Sequence, residues 1–336
     1  MKKVIVIIIF AVLIACAERS VYGNENRFLF MSPEFAATGE AKNALCSDPI
    51  PVNNPVSIIL SEKTNFFAGY TGFYENSFWA ATTHATVKVD SQNVVSAFIG
   101  YLNIPGIDSV EQIIPFENAE PTYKISQVSS SELSININYA RKLFNFERWN
   151  LSVGGSINVM RRRLVEWTGY GIGADLGVLF STNRGNFISF QIDNITTQYT
   201  HWSKNYHENV LPQAFLAYGL SKKVKENLKI ELLYRSPDLF GNSGVVSNTL
   251  GKESVFEDEI KSGSIRQNPQ NLFVAAGYGM DLTIKKIVSL RLGLTDSHKL
   301  TFGGGIYLFN RTNIDFAYIY SSALDGTYGV SLKFGL

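Results

Sequence analysis

Apolar and polar residues alternate with a period of two along most of the chain after residue 63. At the C-terminus, for example, Val330, Leu332 and Phe334 share one face, whereas Ser331 and Lys333 share the other. A period of two is the spacing of side chains on one face of a β-strand. The pattern therefore predicts an all-β protein whose strands have one apolar and one polar face.

The alternation recurs in about fourteen segments, most of them about 9 to 14 residues long. Such lengths exceed the mode of roughly 5–6 residues for strands in general, and they suit membrane-spanning strands of roughly 9–11 residues. An even number of strands is also usual in bacterial outer-membrane barrels. We therefore predict a transmembrane antiparallel β-barrel of about 14 strands over residues 63–336. The segments are 63–74, 77–90, 93–103, 133–143, 149–163, 167–181, 186–194, 211–222, 226–236, 271–284, 286–294, 299–310, 312–322 and 326–336.

The connections between the predicted strands support a membrane barrel over a large soluble β-sandwich, which the alternation alone leaves open. All even-numbered connections are short, and the long ones, 104–132, 195–210 and 237–270, are all odd-numbered. Outer-membrane barrels have short periplasmic turns and longer extracellular loops. The apolar faces are then expected to meet lipid and the polar faces, with their Gly, Ser, Thr and Asn residues, to line the lumen.

Aromatic residues crowd the ends of the predicted strands, and we expect some of them to form the aromatic girdles of a membrane barrel. They are Phe66, Tyr70, Phe73, Tyr74, Phe78, Trp79, Trp149, Trp167 and Trp202.

The N-terminus is typical of an export signal. A positively charged start precedes the apolar run 4–15. Cleavage after Ala17 is one reading; cleavage before Cys16, as in a lipoprotein, and cleavage after Gly23 are alternatives. Removal of residues 1–17 leaves Cys46 as the only cysteine, which excludes an internal disulfide.

Within 24–62, the stretch 37–58 matches neither a strand nor a long helix, because its small and polar residues are interrupted by Pro49, Pro51 and Pro55. The composition adds that charged residues are 18% of the chain, below the roughly 25% of soluble domains. The net charge of +1 gives no field suited to nucleic acid. No second apolar run approaches the length of a membrane helix.

Candidate catalytic and metal chemistry is weak. The glycines at 169, 171 and 173 suggest a nucleotide loop, but they continue into a strand and more often mark close packing. None of the four histidines has a helical or hairpin spacing suited to a metal. We therefore expect no enzyme activity, no metal and no cofactor. The run Arg161–Arg163 closes a predicted strand at the outer rim, where solvation or contact with anionic headgroups explains it.

Several motifs resemble a known family. Residues 36–41 are rich in Gly and Ala, Ser47-Asp48 follows, and 54–58 read N-P-V-S-I where the family has N-P-A-G-L. Together with "GGGIYLFNRTNIDFAYIY" and "TYGVSLKFGL" near the C-terminus, they resemble the PorV/PorQ (UPF0164) family of the FadL-like outer-membrane protein superfamily. The resemblance covers roughly residues 31–336, with a departure at Val56 and Ser57.

The resemblance implies a fourteen-stranded barrel in the cell outer membrane whose segment 24–62 folds into the lumen as a hatch. It implies uptake of hydrophobic small molecules such as long-chain fatty acids. The alternative is a PorV-like role in binding secreted proteins for surface export or attachment. Expected partners are membrane lipid, a hydrophobic small-molecule ligand or, in the alternative, secreted or surface proteins. The expected hatch residues are Gly39, Asp48, Asn53, Asn54 and Pro55.

Overall fold

The structure is a computed structural model that describes residues 20–22, 29–46, 48–50, 53–113, 122–195, 197–203, 206–242, 246–247, 269–308, 311–321 and 326–336. The predicted signal peptide and its alternative cleavage sites lie outside these residues. None of the helices in the described part is long and apolar enough to cross a membrane.

Eighteen strands belong to one sheet. They are β1 Ser20–Tyr22, β2 Asn65–Phe73, β3 Phe78–Lys88, β4 Asn93–Ile113, β5 Thr122–Asn145, β6 Trp149–Leu164, β7 Trp167–Thr182, β8 Asn186–Asp193, β9 Gln198–Trp202, β10 Tyr206–Val210, β11 Gln213–Lys225, β12 Leu228–Arg235, β13 Val246–Ser247, β14 Gly277–Ile284, β15 Val288–Leu294, β16 Leu300–Leu308, β17 Thr312–Ile319 and β18 Thr327–Gly335.

The sheet closes on itself as an antiparallel barrel with fourteen wall strands, as predicted. Closure is made by β18 and β2, whose register runs from Tyr328 opposite Gly72 to Gly335 opposite Asn65. Two of the wall strands are interrupted: β9 continues β8, and β11 continues β10. The short strand β1 pairs in parallel with β10 and antiparallel with β13.

Two predicted loops are wrong, because most of their residues belong to the wall. In place of the loop 104–132, β4 and β5 pair up to Ile113 opposite Thr122. Pro105 and Gly106 suggest a loop, but a shift of register between Ile104 and Ile107 accommodates them within the ladder.

The loop 195–210 is likewise wrong, because it contains β9 and β10. β8 ends at Asp193 and β9 begins at Gln198, whereas β10 ends at Val210 and β11 begins at Gln213. In the second break, Pro212 cannot donate to the ladder. The segment 271–284 also differs from its prediction, because its first residues form helix α2, Asn271–Val274. The loop 237–270 falls mostly outside the described residues.

The two faces of the wall are as predicted. Ile135 and Ile137 point outward with 39% and 57% of their surface exposed, whereas Asn136 and Asn138 point inward and are buried. We call the two rims the turn end, which carries the short even-numbered connections, and the loop end, which carries the odd-numbered ones.

Some of the predicted girdle aromatics form outer bands. Tyr70, Trp79 and Tyr101 are in ring contact near the loop end, and Phe146 contacts Trp149 near the turn end. Phe73 and Trp202 do not join these bands. Both are only 3% exposed, because Phe73 packs in a buried cluster and Trp202 lies over Gly169 on the inner face.

The described part of 24–62 lies inside the barrel, and we call residues 29–62 the plug. It contains α1, Pro33–Ala37, and two 3₁₀ helices, Lys42–Ala44 and Pro55–Leu60. Helix α1 contacts β15–β18, the first 3₁₀ helix contacts β8, β11 and β12, and the second contacts β4–β7. Only a segment enclosed by the wall can reach three separate arcs of it.

Helix starts in the plug are fixed by local capping. Ser32 accepts a hydrogen bond from the backbone N–H of Phe35 at 3.4 Å, and Asn54 accepts one from Val56 at 3.2 Å. In both helices a proline follows the cap, where its missing N–H costs nothing. The prolines that prevent a strand thus start short helices.

Glycines allow the plug to touch the wall backbone. Gly39 has φ +63°, and a Cβ there would overlap backbone atoms of Tyr278 and Leu294. On the wall side, a Cβ at Gly279 or Gly293 would overlap the backbone at Thr38 or Gly39. Gly169 and Gly171 of β7 likewise mark close packing, since an added Cβ at either would overlap the side chain of Trp202 or Met160.

We expect Gly39→Ala to loosen the plug, because the added methyl group must displace wall backbone. Overlap of this kind costs about 1–3 kcal/mol, or about 5- to 150-fold in an opening equilibrium. Gly106→Ala is the matched control: it shares the positive φ, +66°, but has nothing within 4 Å of the new Cβ.

The measurement is the rate at which a maleimide labels Cys46, which is 1% exposed in the plug, in a Cys16→Ser background. Gly39→Ala should raise this rate and Gly106→Ala should not. Equal rates in the two variants would contradict tight packing at Gly39.

Candidate functional site

The lumen contains a buried cluster of apolar side chains toward the loop end, and we call the region it occupies the apolar chamber. Phe30, Met31 and Phe35 of the plug pack against Phe98 and Leu102 of β4. Phe30 meets the edge of Phe98 with ring centroids 5.9 Å apart. The rest of this buried cluster comprises Ala36, Ala37, Ile50, Phe73, Ala80, Ala317 and Ile319. Plug side chains therefore fill the one large apolar cluster that faces the loop end in the described lumen.

Three of the predicted hatch residues form a compact junction inside the plug. The Asn53 amide donates to the backbone carbonyls of Cys46 and Asp48 at 2.6 and 2.8 Å. Asn54 caps the second 3₁₀ helix, Pro55 is its first residue, and the Asn54 amide donates to the carbonyl of Phe190 in the wall at 3.2 Å. These residues hold the plug's own fold and one wall contact.

The departure from the family motif at Val56 and Ser57 is accommodated on both sides. A Cβ at Gly154 of β6 would overlap the backbone of Val56, so this wall glycine leaves room for the helix. Ser57 donates to the carbonyl of Asn54 at 2.6 Å. Both residues are fully buried.

The other two predicted hatch residues contact different parts of the wall. The position of Gly39 leaves no space for a side chain. Its backbone N–H donates a hydrogen bond to the Thr301 hydroxyl at 3.0 Å. Asp48 forms an ion pair with Lys333 of β18 at 2.6 Å. His84 lies on the lumen face, as predicted, stacked on Phe67 and with its Nε2 3.8 Å from the Asp48 carboxylate.

A buried ammonium group links the plug to two wall strands. The Nζ atom of Lys42 lies 2.7 Å from Glu34, 2.8 Å from Glu231 and 2.7 Å from Asp281. Burial by itself lowers the pKa of Lys42, but the three carboxylates outweigh it and hold the pKa well above its ordinary value. The charged Lys42 therefore joins the plug to the barrel wall through ion pairs.

The network continues along the inner wall. Arg291 donates to Asp281 at 3.0 Å and to Asp315 on the other side. Asn313 donates to Asp315, and Arg235 reaches Glu40 of the plug at 3.5 Å. Sequence reasoning placed charges on the polar faces but missed these partners. The signal in the sequence for these ion pairs was a charged residue midway along a membrane strand, because a charge inside a membrane protein must be paired.

One group of possible metal ligands occurs in the plug. One ligand atom from each of Glu34, Cys46 and Asp48 lies within 4.8 Å of the others. The carboxylates already pair with the ammonium groups of Lys42 and Lys333, and burial raises the pKa of the Cys46 thiol well above its ordinary value. Amines thus occupy the positions that a cation would take.

A polar cavity of about 580 Å³ opens at the turn end below the plug. Its cationic lining is Lys63, Lys229, Lys286, Arg311 and Lys333, and its carboxylates are Glu34 and Glu62. The described lumen therefore contains an apolar chamber toward the loop end, the ionic layer around Lys42 and a basic mouth at the turn end, with a second apolar cluster where the second 3₁₀ helix packs against the wall.

The run Arg161–Arg163 divides between the faces. Arg162 points inward and forms an ion pair with Glu132 at 2.7 Å, whereas Arg161 and Arg163 are exposed on the outer face. The expected contact of this run with anionic headgroups stays a prediction for the two outer arginines.

Solved structures of outer-membrane channels share this architecture. The Pseudomonas putida toluene transporter TodX aligns with a TM-score of 0.57 and 10% identity over 92% of this chain and 99% of its own. The monoaromatic hydrocarbon channel CymD aligns with a TM-score of 0.53 and 10% identity over 92% and 98%. The chain has the TodX fold.

A Pseudomonas aeruginosa FadL homologue aligns with a TM-score of 0.49 and 8% identity over 91% of this chain and 98% of its own. No protein-family model matches the sequence, and no curated protein is similar to it. The solved structures thus establish the barrel fold, and the PorV/PorQ resemblance stays a prediction.

Removal of the Lys42 charge should release the plug. Lys42→Met leaves the carboxylate of Glu34, which is 17% exposed, with no ion pair among the described residues, and breaking a buried pair costs up to about 3–5 kcal/mol. We expect Cys46 labelling to accelerate about a hundredfold or more. Lys229→Met, which removes a 43% exposed partner of Glu231, should stay within about fivefold of the unaltered protein.

The double variant Glu34→Gln with Lys42→Met separates charge from packing. It should recover part of the protection, because the unpaired carboxylate is gone. If Lys42→Met labels no faster than Lys229→Met, the network does not hold the plug.

Glu40 should make plug docking pH-dependent. Burial, reinforced by the Asp296 carboxylate and opposed by Arg235 and Lys299, raises the pKa of Glu40 from 4.5 to about 7. Between these pH values an undocked Glu40 ionises while a docked one stays protonated, so docking is strongest below pH 4.5 and weakens up to about pH 7.

The ratio of Cys46 labelling rates, unaltered protein over Glu40→Gln, should rise across this range and level off above it. Taking the ratio cancels the intrinsic pH dependence of the thiol reaction. A ratio that is flat from pH 4.5 to 8 would refute the linkage.

Proposed function

We propose that this protein is a FadL-type outer-membrane channel for hydrophobic small molecules, with the plug acting as its hatch. The observation that carries the proposal is the apolar chamber around Phe98, the larger of two buried apolar clusters that plug side chains fill in the described lumen. An apolar region of the lumen that is filled by a separable segment suits a site where ligand and plug compete.

The proposed ligand enters from the loop end, where the chamber lies. It takes the place of Phe30 and Met31. The plug then shifts relative to the opposite arcs of the wall, which its helices also contact. Passage then leads past the Lys42 layer to the basic cavity at the turn end. The hatch residues Asn53, Asn54 and Pro55 would keep the second 3₁₀ helix intact during this movement.

The ligand class rests on analogy as well as on the chamber. TodX is a toluene transporter and CymD a monoaromatic hydrocarbon channel. For this chain we propose long-chain fatty acids as the first ligands to test, because the family resemblance implies them. The proposal also includes removal of an N-terminal signal peptide and residence in the outer membrane with lipid around the wall.

A second candidate is a PorV-like role in holding secreted proteins at the surface. The observation that favours it is the long β4–β5 hairpin, whose outer end exposes Val110, Tyr123 and Ile125 by 60%, 62% and 67%. Apolar groups exposed together at the outer end of the β4–β5 hairpin suit contact with a protein partner.

Uptake of labelled fatty acid into proteoliposomes tests the channel. Phe98→Asn should lower uptake about tenfold, because an amide in the apolar chamber has no partner when the ligand is bound. Phe67→Asn is the matched control, since Phe67 is also buried and inward-facing but lies outside the chamber cluster. Deletion of 24–62 should raise uptake.

Heat-modifiable gel mobility confirms that each variant is a folded barrel. Background uptake by both the unaltered and the plug-deleted protein would overturn the channel proposal. Capture of a defined secreted protein, lost on shortening the β4–β5 hairpin, would then support the second candidate.

A further inference from the structure

Two histidines that the sequence left apart meet on the outer surface near the loop end. His201 of β9 and His207 of β10 are direct cross-strand partners, and their Nδ1 atoms lie 3.1 Å apart. The hydroxyl of Tyr199 lies 2.6 Å from the same Nδ1 of His207. The prediction that no histidines have hairpin spacing is wrong, because the segment 195–210 forms a hairpin and not a loop.

We propose that His201 and His207 bind a divalent transition metal ion such as Cu²⁺, Ni²⁺ or Zn²⁺. The site is independent of the proposed channel function.

The distance between the two nitrogens fits chelation. Metal–nitrogen bonds to imidazole are about 2.0–2.1 Å long. Two such bonds place the nitrogens about 3.3 Å apart at a tetrahedral angle and about 2.9 Å apart at a right angle. The observed 3.1 Å lies between these values, so the backbone register already sets the separation that a metal requires.

Hydrogen bonding alone satisfies this arrangement poorly. A neutral imidazole carries one N–H, so one of the two Nδ1 atoms must donate to the other. The Tyr199 hydroxyl lies at the same His207 nitrogen, which therefore either accepts from two donors with one lone pair or shares a single N–H between two acceptors. A metal ion replaces the bridging proton and uses both lone pairs, and the Tyr199 hydroxyl stays beside it as a further oxygen donor.

The pair is accessible to ions in water. His201 lies beside Tyr170 of β7, which lies beside Arg161 of β6. The next row toward the turn end is apolar, with Val159 beside Ile172. The outer face thus changes from apolar to charged at the histidine row, as expected where hydrocarbon gives way to headgroups and water.

The environment differs from that of the carboxylates in the plug. Among the described residues, neither histidine forms an ion pair, so no ammonium group competes for the position between them. Paired imidazoles favour Cu²⁺, Ni²⁺ and Zn²⁺ over Mg²⁺ or Ca²⁺, which prefer oxygen ligands. The remaining coordination positions face water.

Metal binding would join β9 to β10. This part of the wall lies on the loop-end side of the breaks between β8 and β9 and between β10 and β11. Strands β9 and β10 are five residues long each, and their ladder with each other is separate from the ladder of β8 with β11. A cross-link there would slow opening of the hairpin. It would leave the plug unaffected.

The test is titration of the full chain, purified in detergent without a histidine tag, with CuCl₂ and followed by electron paramagnetic resonance. One Cu²⁺ per protein with nitrogen hyperfine structure from two imidazoles is expected. His201→Gln and His207→Gln should each weaken binding about tenfold or more and lose the two-nitrogen signal. His298→Gln, at an exposed turn histidine, is the matched control and should bind as the unaltered protein does.

Hydrogen exchange with ZnCl₂ gives an independent readout. Zinc should slow exchange of the β9 and β10 amides in the unaltered protein and in His298→Gln, but not in the double variant His201→Gln with His207→Gln. Cu²⁺ binding with a two-imidazole signal that survives in the double variant, or no stoichiometric Cu²⁺ binding in the unaltered protein, overturns the proposal.

Discussion

The structure depends on backbone hydrogen bonds that have no substitute partner in hydrocarbon. A strand in a membrane must find a neighbour on both edges, so the sheet can end only by meeting its own beginning. Here β18 pairs with β2 along eight residue positions, from Tyr328 opposite Gly72 to Gly335 opposite Asn65. Closure forces alternate side chains into an enclosed lumen. The polarity of that lumen then determines which partners its side chains and the plug must provide.

An enclosed polar volume must be satisfied from within. Inward-facing Glu231, Asp281 and Asp315 have lost bulk water, and the plug and neighbouring strands supply their counterions. Lys42 is the clearest case, because one ammonium group serves carboxylates from the plug and from two wall strands. The same arrangement that holds the plug also makes its release sensitive to single charges, which suits a segment that must hold and let go.

Sequence alone predicts the wall well and the interior poorly. Period-two alternation locates a strand such as 326–336, because each residue reports its own face. It misses the outer parts of β4, β5, β9 and β10, where Pro105-Gly106 and polar residues imitate a loop while a bulge keeps the ladder intact. Ion pairs such as Lys42 with Asp281 join positions 239 residues apart, which no local pattern encodes. The pairing of His201 with His207 was not predicted, because the segment that contains β9 and β10 was predicted to be a loop.

The contact of Thr38 and Gly39 with Gly279 and Gly293 bears on how such a chain can change over time. Outward positions such as Ile137 can exchange for other apolar residues one at a time, because lipid adapts to any shape. The glycine contact has no such freedom, since a side chain on either surface requires space that only a simultaneous change on the other can give. Substitutions in the wall and in the plug should therefore appear as pairs, and the interior should diverge more slowly than the lipid-facing surface.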